Sequence, residues 1–277
     1  QNHLDEGLED YNVEPGYIPM DLVLFNDAVR YICRICRILS QPRGNAMLVG
    51  VGGSGRQSLS KLAAFVAGQK VFRIKVSKRY GSTEFHEDLK KLMKMASLEN
   101  KSTVFLFNDT QVKEESFLED INNILSVGTV PNLFEAEDLT EIYDTVQKEA
   151  NSKGLFTQRE YYQFFIERVR ENLHVILCMS PVGEMFRTRC LAFPSLVNCT
   201  TVIWYRGWAQ DALRDVALKF LEDARLEESV SLSLSKSFAV VHESAIEMSD
   251  EVKRRQRRHN YITPTHYLEL VKGYSTL

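Results

Sequence analysis

The chain has 277 residues, of which 44% are hydrophobic and 26% charged, and its formal net charge is −3. This is an ordinary soluble composition, and its acidic balance argues against the broad basic surface that nucleic-acid binding requires. The longest apolar runs, at residues 20–25 and 175–179, are too short to cross a bilayer, and the acidic start resembles a fragment boundary more than a signal peptide. We therefore expect neither a nucleic-acid partner nor a membrane partner.

Short apolar strands alternate with helices through most of the chain. Residues 20–39 carry apolar side chains at helical spacing, and an apolar strand at 46–49 runs into a glycine-rich loop followed by a helix over 58–67. Further strands are predicted at 71–76, 104–107, 173–179 and 201–204, and further helices at 84–96, 115–125 and, as a pair, within 135–169. This alternation indicates an α/β fold with a parallel five-stranded sheet flanked by helices.

The pattern changes near residue 207, after which only helices are predicted, at 208–221, 236–248 and 264–274. We therefore predict a large α/β domain over residues 1–206, with a helical insertion at roughly 135–170, and a small all-α domain over 207–277.

Five cysteines are spread along the chain. Cys33 and Cys36 form a C-x-x-C pair, but they lie in a helical pattern and no second pair has the spacing of a zinc site. We expect small core-facing thiols in a reducing compartment, which favours the cytoplasm.

The glycine-rich loop nearly matches the phosphate-binding pattern G-x-x-x-x-G-K-[S/T] between a strand and a helix. Successive backbone N–H groups of such a loop, together with the positive end of the following helix, hold phosphate oxygens. Glycines are needed there because the backbone adopts dihedral angles that other residues avoid. The residues predicted to bind nucleotide here are Gly50, Val51, Gly52, Gly53, Ser54, Gly55, Arg56, Gln57 and Ser58.

Two loop positions depart from the pattern. Arg56 replaces the lysine; it keeps the positive charge but is bulkier and favours bidentate contacts. Gln57 replaces the hydroxyl residue that binds Mg²⁺, and Ser58, turned about 100° further round the helix, cannot simply take its place. Gln57 retains a carbonyl oxygen as a weaker ligand. We expect nucleotide affinity to be kept and metal-assisted hydrolysis to be impaired.

The second half of such a site is a pair of acidic residues at the end of a buried strand, where one holds Mg²⁺ and the next polarises the attacking water. Here the strand is followed by Asn108, Asp109 and Thr110. Either Asn108 stands at the metal place and Asp109 at the catalytic place, or Asp109 is the metal ligand and Thr110 stands where the base should be. Neither register completes the pair; the alternative is an ordinary polar strand end. We predict a degenerate catalytic site, with a weak Mg²⁺ site formed by Gln57, Asn108 and Asp109.

These motifs together resemble the fourth AAA+ module of a dynein heavy chain, over residues 22–274. The Arg-Gln form of the loop resembles the axonemal branch. The segments that carry the resemblance are Gly50-Val-Gly-Gly-Ser-Gly-Arg-Gln-Ser58, Phe105-Leu-Phe-Asn-Asp-Thr-Gln111, Phe117-Leu-Glu-Asp-Ile-Asn-Asn-Ile-Leu125, Val130-Pro-Asn-Leu-Phe134 and Phe193-Pro-Ser-Leu-Val-Asn198. The resemblance implies an AAA+ P-loop NTPase fold, with an all-α helical lid after the sheet domain, in a motor ring.

The resemblance also implies roles outside the loop. Ser180 stands at the place of a polar sensor residue, and Cys199 stands where an arginine finger is often found. In the lid, Pro264 and Thr265 stand at a second sensor place, where arginine is usual. The residues expected to pack against the adenine are Val23, Leu24 and Phe25.

By the same resemblance, the chain is expected to bind ATP or ADP, with Mg²⁺ as a candidate ion, and to regulate rather than drive the motor. The implied partners are neighbouring AAA+ modules of the same heavy chain, the dynein linker, and the microtubule indirectly through the stalk. The implied location is the cytoskeleton of the ciliary or flagellar axoneme. Two alternatives stay open: an active Mg²⁺-dependent ATPase in which Asp109 and Gln57 suffice, and an empty structural segment of the ring.

Overall fold

The computed structural model describes residues 2–224, 226–258 and 260–275. In chain order its elements are α1 (Asn2–Val13), α2 (Asn26–Leu39), β1 (Ala46–Val49), α3 (Arg56–Val66), β2 (Lys70–Phe72), α4 (Ser82–Ser97), β3 (Thr103–Asn108), α5 (Ser116–Val127), α6 (Ala136–Ser152), α7 (Gln158–Asn172), β4 (Leu173–Met179), α8 (Met185–Ala192), α9 (Ser195–Asn198), β5 (Thr201–Trp204), α10 (Gln210–Leu221), α11 (Glu228–Gln256) and α12 (Pro264–Ser275), with 3-10 turns at Asp109–Gln111 and Glu222–Ala224.

The chain divides into two compact units. One, the sheet unit, consists of Ile32–Val49 and Leu59–Trp204. The other, the lid unit, consists of the described residues of Gln1–Tyr31, Gly50–Ser58 and Tyr205–Leu277. The predicted boundary near residue 207 stays a prediction.

The sheet unit contains five parallel strands in the order β2-β3-β4-β1-β5. Strands β1, β3 and β4 are buried along their whole length, which explains why they are continuous apolar runs instead of alternating ones. The predicted parallel five-stranded sheet flanked by helices is confirmed. Because the strands are parallel, the carboxyl ends of β3 and β4 lie at the same edge of the sheet, with Asn108 opposite Cys178.

The second predicted strand is shorter than expected. The sequence alternates over residues 71–76, yet β2 covers only Lys70–Phe72. Beyond Phe72 the carbonyl of Ile74 accepts a hydrogen bond from the Gln111 side chain, at 3.0 Å between Nε2 and O. A side chain, and not a neighbouring strand, therefore satisfies this part of the backbone.

Helices α6 and α7, the predicted insertion, belong to the core of the sheet unit. Ile142, Val146 and Phe165 are fully or almost fully buried and share one apolar cluster with the strand residues Phe105 and Phe107. Burial of each large apolar side chain contributes about 1.5–3 kcal/mol. Helices α6 and α7 therefore contribute buried side chains to the core and stabilise the sheet unit.

In the lid unit, α10, α11 and α12 pack around a core that includes Leu213, Val216, Tyr267 and Val271. The Tyr267 hydroxyl is inside this core and donates to the Leu213 carbonyl at 2.6 Å. The helical segment predicted after the last strand is therefore present.

Helix α11 is longer than the predicted 236–248 and reaches 29 residues. It begins within a serine-rich stretch, where Ser233 and Ser237 donate their hydroxyls to carbonyls four residues earlier. Those bonds satisfy the hydroxyls within the helix.

No helix in the described part of the chain is both long and apolar enough to span a membrane.

The expectation of core-facing thiols is wrong for Cys33, which is exposed. Cys36, one turn further along α2, is half-buried, and its thiol donates to the Ala63 carbonyl at 3.5 Å. Burial raises the pKa of Cys36 to about 11. A thiol with so high a pKa is protonated and unreactive at neutral pH.

Candidate nucleotide-binding site

The glycine-rich loop, hereafter the phosphate loop (Gly50–Ser58), follows the buried strand β1 and leads into α3. Gly53 and Gly55 have φ angles of +75° and +86°, in the left-handed region that glycine adopts without steric cost. Backbone of this kind turns successive N–H groups toward one side, where they form a concavity for an anion. The strand–loop–helix context that the motif requires is present.

Polar groups of the phosphate loop fit a phosphate ligand. Ser54 is only 5% exposed, and its Oγ has no hydrogen-bond partner among the described residues. Buried polar atoms are normally satisfied, so an unsatisfied hydroxyl in this loop is consistent with a ligand oxygen as its partner. Gly52 faces open space, since a Cβ built there would meet no atom within 4 Å.

Arg56, Gln57 and Ser58 form the first turn of α3 and are half-buried. The first N–H groups of a helix lack partners within the helix and carry its positive end. This turn therefore adds donors and positive potential to the phosphate loop, and Arg56 adds a full charge.

The acidic strand end is a tightly bonded turn. Asn108 is the last residue of β3 and is 4% exposed. Its N–H donates to the Gln111 side chain at 3.0 Å, and its Oδ1 accepts from the Thr110 hydroxyl. Gln111 in turn donates to Ile74. Sequence reasoning missed Gln111, although a polar residue three places after a strand end is the spacing of a capping box.

The structure brings two of the predicted residues, Asp109 and Ser180, into contact. The Ser180 N–H donates to Asp109 Oδ2 at 2.7 Å, across the adjacent ends of β3 and β4. A backbone N–H bonded to a carboxylate is a charge-assisted hydrogen bond. Asp109 therefore points along the sheet edge toward the sensor place, while the Ser180 hydroxyl accepts a long bond from the Val182 N–H at 3.4 Å.

These residues do not reproduce the usual Mg²⁺ ligand set. Within the described ranges no group of three His, Cys, Asp or Glu side chains is placed to hold a metal ion. Asn108 and Asp109 each already accept a hydrogen bond through one side-chain oxygen. The phosphate loop with Gln57 belongs to the other compact unit, so a Mg²⁺ site formed by Gln57, Asn108 and Asp109 stays a prediction.

The residues expected at the adenine lie in the lid unit. Val23 and Phe25 pack against its apolar core, and the Phe25 ring meets the edge of Trp208 at 5.5 Å between centroids. Leu24 is buried. Their contact with a base stays a prediction.

Cys199, which stands where an arginine finger is often found, takes part in hydrogen bonds within the sheet unit. Cys199 is half-buried, and its carbonyl accepts from the Asn45 side chain at 3.4 Å. Asn45 Oδ1 also accepts from the Val175 N–H at 2.7 Å. Asn45 thus fixes the start of the central strands, a role that sequence reasoning missed and that a polar residue directly before a buried strand could have indicated.

Of the two residues expected at the second sensor place, Thr265 lies close to Gly53 of the phosphate loop. Pro264 and Thr265 begin α12, and Pro264 is buried while Thr265 is exposed. A Cβ built on Gly53 would lie 2.1 Å from Thr265 Oγ1. Thr265 and Gly53 are thus in close contact, and the role of Pro264 and Thr265 at a nucleotide stays a prediction.

Comparison with known proteins gives one family and several relatives. The family model described as P-loop containing dynein motor region D4 matches residues 20–277. The chain is 54% identical over 99% of its length to the dynein-1-beta heavy chain of the flagellar inner arm I1 complex of Chlamydomonas reinhardtii. It is 47% identical over its whole length to human dynein axonemal heavy chain 6, and 44% identical over 99% to human dynein axonemal heavy chain 2.

These matches confirm the resemblance to an axonemal dynein AAA+ module; the module's position in the ring stays a prediction. The chain spans only 6% of the Chlamydomonas relative and 7% of human heavy chain 6.

Proposed function

We propose that this chain, which belongs to the P-loop containing dynein motor region D4 family, is a regulatory nucleotide-binding module of an axonemal dynein motor ring. It holds ATP or ADP and hydrolyses it little or not at all. In this proposal it is the fourth module, its neighbours are other AAA+ modules of the same heavy chain, and it couples the ring to the stalk that binds the microtubule.

The observation that supports this proposal most strongly is the difference between the two halves of the site. The phosphate loop keeps its left-handed glycines, its buried serine and a cation at Arg56. The strand end has an amide, Asn108, at one acidic place, and its Asp109 carboxylate accepts the Ser180 N–H. Phosphate binding depends mainly on backbone donors, whereas hydrolysis needs particular side chains. Binding is therefore expected to persist where turnover does not.

Each retained group has a defined task in binding. Backbone N–H groups of the phosphate loop and of the first turn of α3 donate to phosphate oxygens. The Arg56 guanidinium can bind two oxygens of a terminal phosphate at once. Mg²⁺ would neutralise phosphate charge if it bound with the nucleotide, but Asn108 and Asp109 do not supply the acidic pair that usually holds it.

The cellular setting is proposed from the relatives. Their names place them in axonemes and in a flagellar inner arm. We expect this module to act in the same cytoskeletal structure, in cilia or flagella, with the linker and stalk of its own heavy chain as mechanical partners.

Titration calorimetry and phosphate-release assays on the purified protein test this function. We expect binding of ADP and ATP, no release above background with or without Mg²⁺, and no change in affinity beyond about threefold in Asp109→Asn, since the carboxylate is not a phosphate ligand. Mg²⁺-dependent release that Asp109→Asn abolishes would make the chain an active ATPase. No binding at micromolar nucleotide would make it an empty structural segment.

A further inference from the structure

A cavity of about 230 Å³ lies within the sheet unit, at the edge opposite to the carboxyl ends of the strands. Its lining includes Asn45, directly before β1, and Leu173 and Val175 at the start of β4. The carboxyl end of α5 and the last turn of α7 also border it. We call this cavity the arginine pocket, because Arg43 and Arg170 line it. The residues predicted to bind nucleotide are not among its lining residues.

The side chain of Asn45 joins three parts of this lining. Its Nδ2 donates to the Arg43 carbonyl at 3.1 Å and to the Cys199 carbonyl at 3.4 Å, and its Oδ1 accepts from the Val175 N–H at 2.7 Å. Arg43 has a φ angle of +61°, a conformation that residues other than glycine seldom adopt and that persists only where the surrounding structure fixes it. The bonds from Asn45 therefore hold the backbone of Arg43 at the arginine pocket.

Arg170 is positioned by close packing against Gly128. Gly128 ends α5 with a φ angle of +85°. A Cβ built on it would lie 2.5 Å from Arg170 Cγ and 2.7 Å from Arg170 Cδ. Any side chain at position 128 would thus displace the stem of Arg170. The glycine keeps this stem across the end of α5, beside the arginine pocket.

One carboxylate pairs with both guanidinium groups. Glu167 Oε2 lies 2.5 Å from Arg43 Nη2, and Glu167 Oε1 lies 3.5 Å from Arg170 Nη1. Among the described residues, no other carboxylate forms an ion pair with either arginine. The carbonyls that end α5 add only about half a unit of negative charge, so these groups together leave the arginine pocket positive. Each guanidinium also has five N–H donors, and Glu167 engages only some of them.

The pocket suits a compact anion. The planar forks of two neighbouring guanidinium groups match the oxygen spacing of carboxylate and phosphate groups. Ile124, Leu125 and Val169 add apolar side chains to the lining. A volume of about 230 Å³ equals that of roughly eight water molecules, which is room for a compact molecule but too little for a whole nucleotide.

We propose that the arginine pocket binds a small organic anion, a carboxylate or a phosphate on a compact apolar body, through Arg43 and Arg170. Glu167 competes with this anion for the guanidinium donors. The site goes beyond the proposed function, since it lies at the edge of the sheet opposite to Asn108 and Ser180.

Nuclear magnetic resonance titration of the purified protein with benzoate, phenyl phosphate and neutral benzamide tests this site. The amide signal of Gly128 reports on the arginine pocket, and that of Gly55 reports on the phosphate loop. We expect a saturable shift at Gly128 with at least one anion, and binding of benzamide at least about tenfold weaker than that of the anion.

The two anions distinguish the possible ligands. Saturation by phenyl phosphate alone would identify a phosphate ligand, saturation by benzoate alone a carboxylate ligand, and saturation by both a pocket that accepts either oxyanion. Anion-induced shifts at Gly55 and not at Gly128 would overturn the proposal. So would the lack of any saturable shift at Gly128 with millimolar anion.

Arginine variants test which groups bind the anion. Arg43→Gln and Arg170→Gln should each weaken binding at least about tenfold. The matched control is Arg37→Gln, which removes the same charge from an exposed position on α2 and should leave the affinity within about twofold of the parent protein. Equal affinities in all three variants would contradict the proposal.

A fourth variant, Glu167→Gln, keeps the test decisive if an arginine variant does not fold. It removes the competing carboxylate and should therefore strengthen anion binding at least about threefold. If the two arginines served only to pair with Glu167, no such gain would appear. Unchanged or weaker binding in Glu167→Gln would overturn the proposal that the anion and Glu167 share the same donors.

Discussion

The phosphate loop and the strand end at Asn108 are held in place by different kinds of interaction. The strand end is held by side-chain hydrogen bonds. The Gln111 side chain bonds to the backbone of Asn108 and Ile74, and the Asp109 carboxylate accepts from the Ser180 N–H. The phosphate loop is held by backbone packing. Gly50 lies so close to Tyr205, and Gly53 so close to Thr265, that a Cβ atom at either glycine would clash.

Under the proposed function, this difference accounts for nucleotide binding at the phosphate loop without hydrolysis at the strand end. A backbone cradle depends on glycines and on a helix start, so Lys-to-Arg and hydroxyl-to-Gln differences leave its donors in position. A catalytic strand end depends on the identity of each side chain. In the register that puts Asn108 at the metal place, an amide stands where a carboxylate is usual, while hydrogen bonds still close the turn around it.

The largest effect is expected from breaking the strand end. Gln111→Ala leaves the Asn108 N–H and the Ile74 carbonyl buried without partners, which costs roughly 2–4 kcal/mol in the free energy of unfolding. Urea denaturation measures it, with the exposed Gln163→Ala on α7 as control, expected within about 0.5 kcal/mol of the parent protein. Equal effects of the two variants would show that the Gln111 bonds do not hold this turn.

The phosphate loop should respond to a single methyl group. Gly50→Ala forces a Cβ against Tyr205 and Ser54, at 2.7 and 3.1 Å, and overpacking of this kind costs about 1–3 kcal/mol. Gly50→Ala should lower both the unfolding temperature and the ADP affinity, whereas Gly52→Ala, whose methyl group meets no protein atom, should leave the unfolding temperature close to that of the parent protein. If Gly50→Ala and Gly52→Ala had equal unfolding temperatures, backbone packing would not be what shapes the phosphate loop.

A smaller effect on the free energy of unfolding is expected from pH, through His174 near the start of β4. His174 Nδ1 lies 2.8 Å from the Gly44 carbonyl, and burial lowers the pKa of His174 below its usual value. The unfolded chain therefore takes up the proton more readily, so stability is complete above about pH 6.5 and declines below it, by at most about 1.4 kcal/mol per pH unit.

Urea denaturation at pH 7.5 and 5.5 measures this slope. It should flatten in His174→Leu but not in His3→Gln, whose side chain is 87% exposed. A residual slope is expected, since burial also lowers the pKa of His242. An unchanged slope in His174→Leu would contradict the assignment.

The smallest effect is expected at the first departure from the phosphate-binding pattern. Arg56→Lys keeps the charge and should change ADP affinity by less than about threefold, whereas Arg56→Gln removes the charge and should lower it at least about tenfold. Titration calorimetry measures both variants. A tenfold change in Arg56→Lys would show that the planar guanidinium, and not its charge, is what the site needs.

The sequence predicts those parts of the fold that depend on local pattern. Strands β1 and β4 have the predicted bounds because continuous apolar runs show where buried parallel strands lie. Helix α1 was missed because only Leu4 and Tyr11 of its residues are buried, too few to make a periodic signal. Helices α8 and α9 were missed because they are short and largely exposed.

For the candidate site residues too, the sequence indicates local motifs but not contacts between distant residues. The phosphate loop and the strand end follow from their motifs. The bonds from Gln111 to Ile74 and from Asn45 to Val175 join residues far apart in the chain, as does the contact between Gly53 and Thr265. No local pattern encodes such pairs, because tertiary packing alone brings them together.

A single-turnover experiment tests most directly whether this module holds nucleotide without cleaving it. Protein in excess is loaded with labelled ATP and Mg²⁺, free nucleotide is removed, and the bound fraction is analysed over several hours. We predict that the label stays on the protein as ATP, with conversion to ADP no faster in the parent protein than in Asp109→Asn. Conversion of the bound ATP within minutes, abolished by Asp109→Asn, would contradict the account.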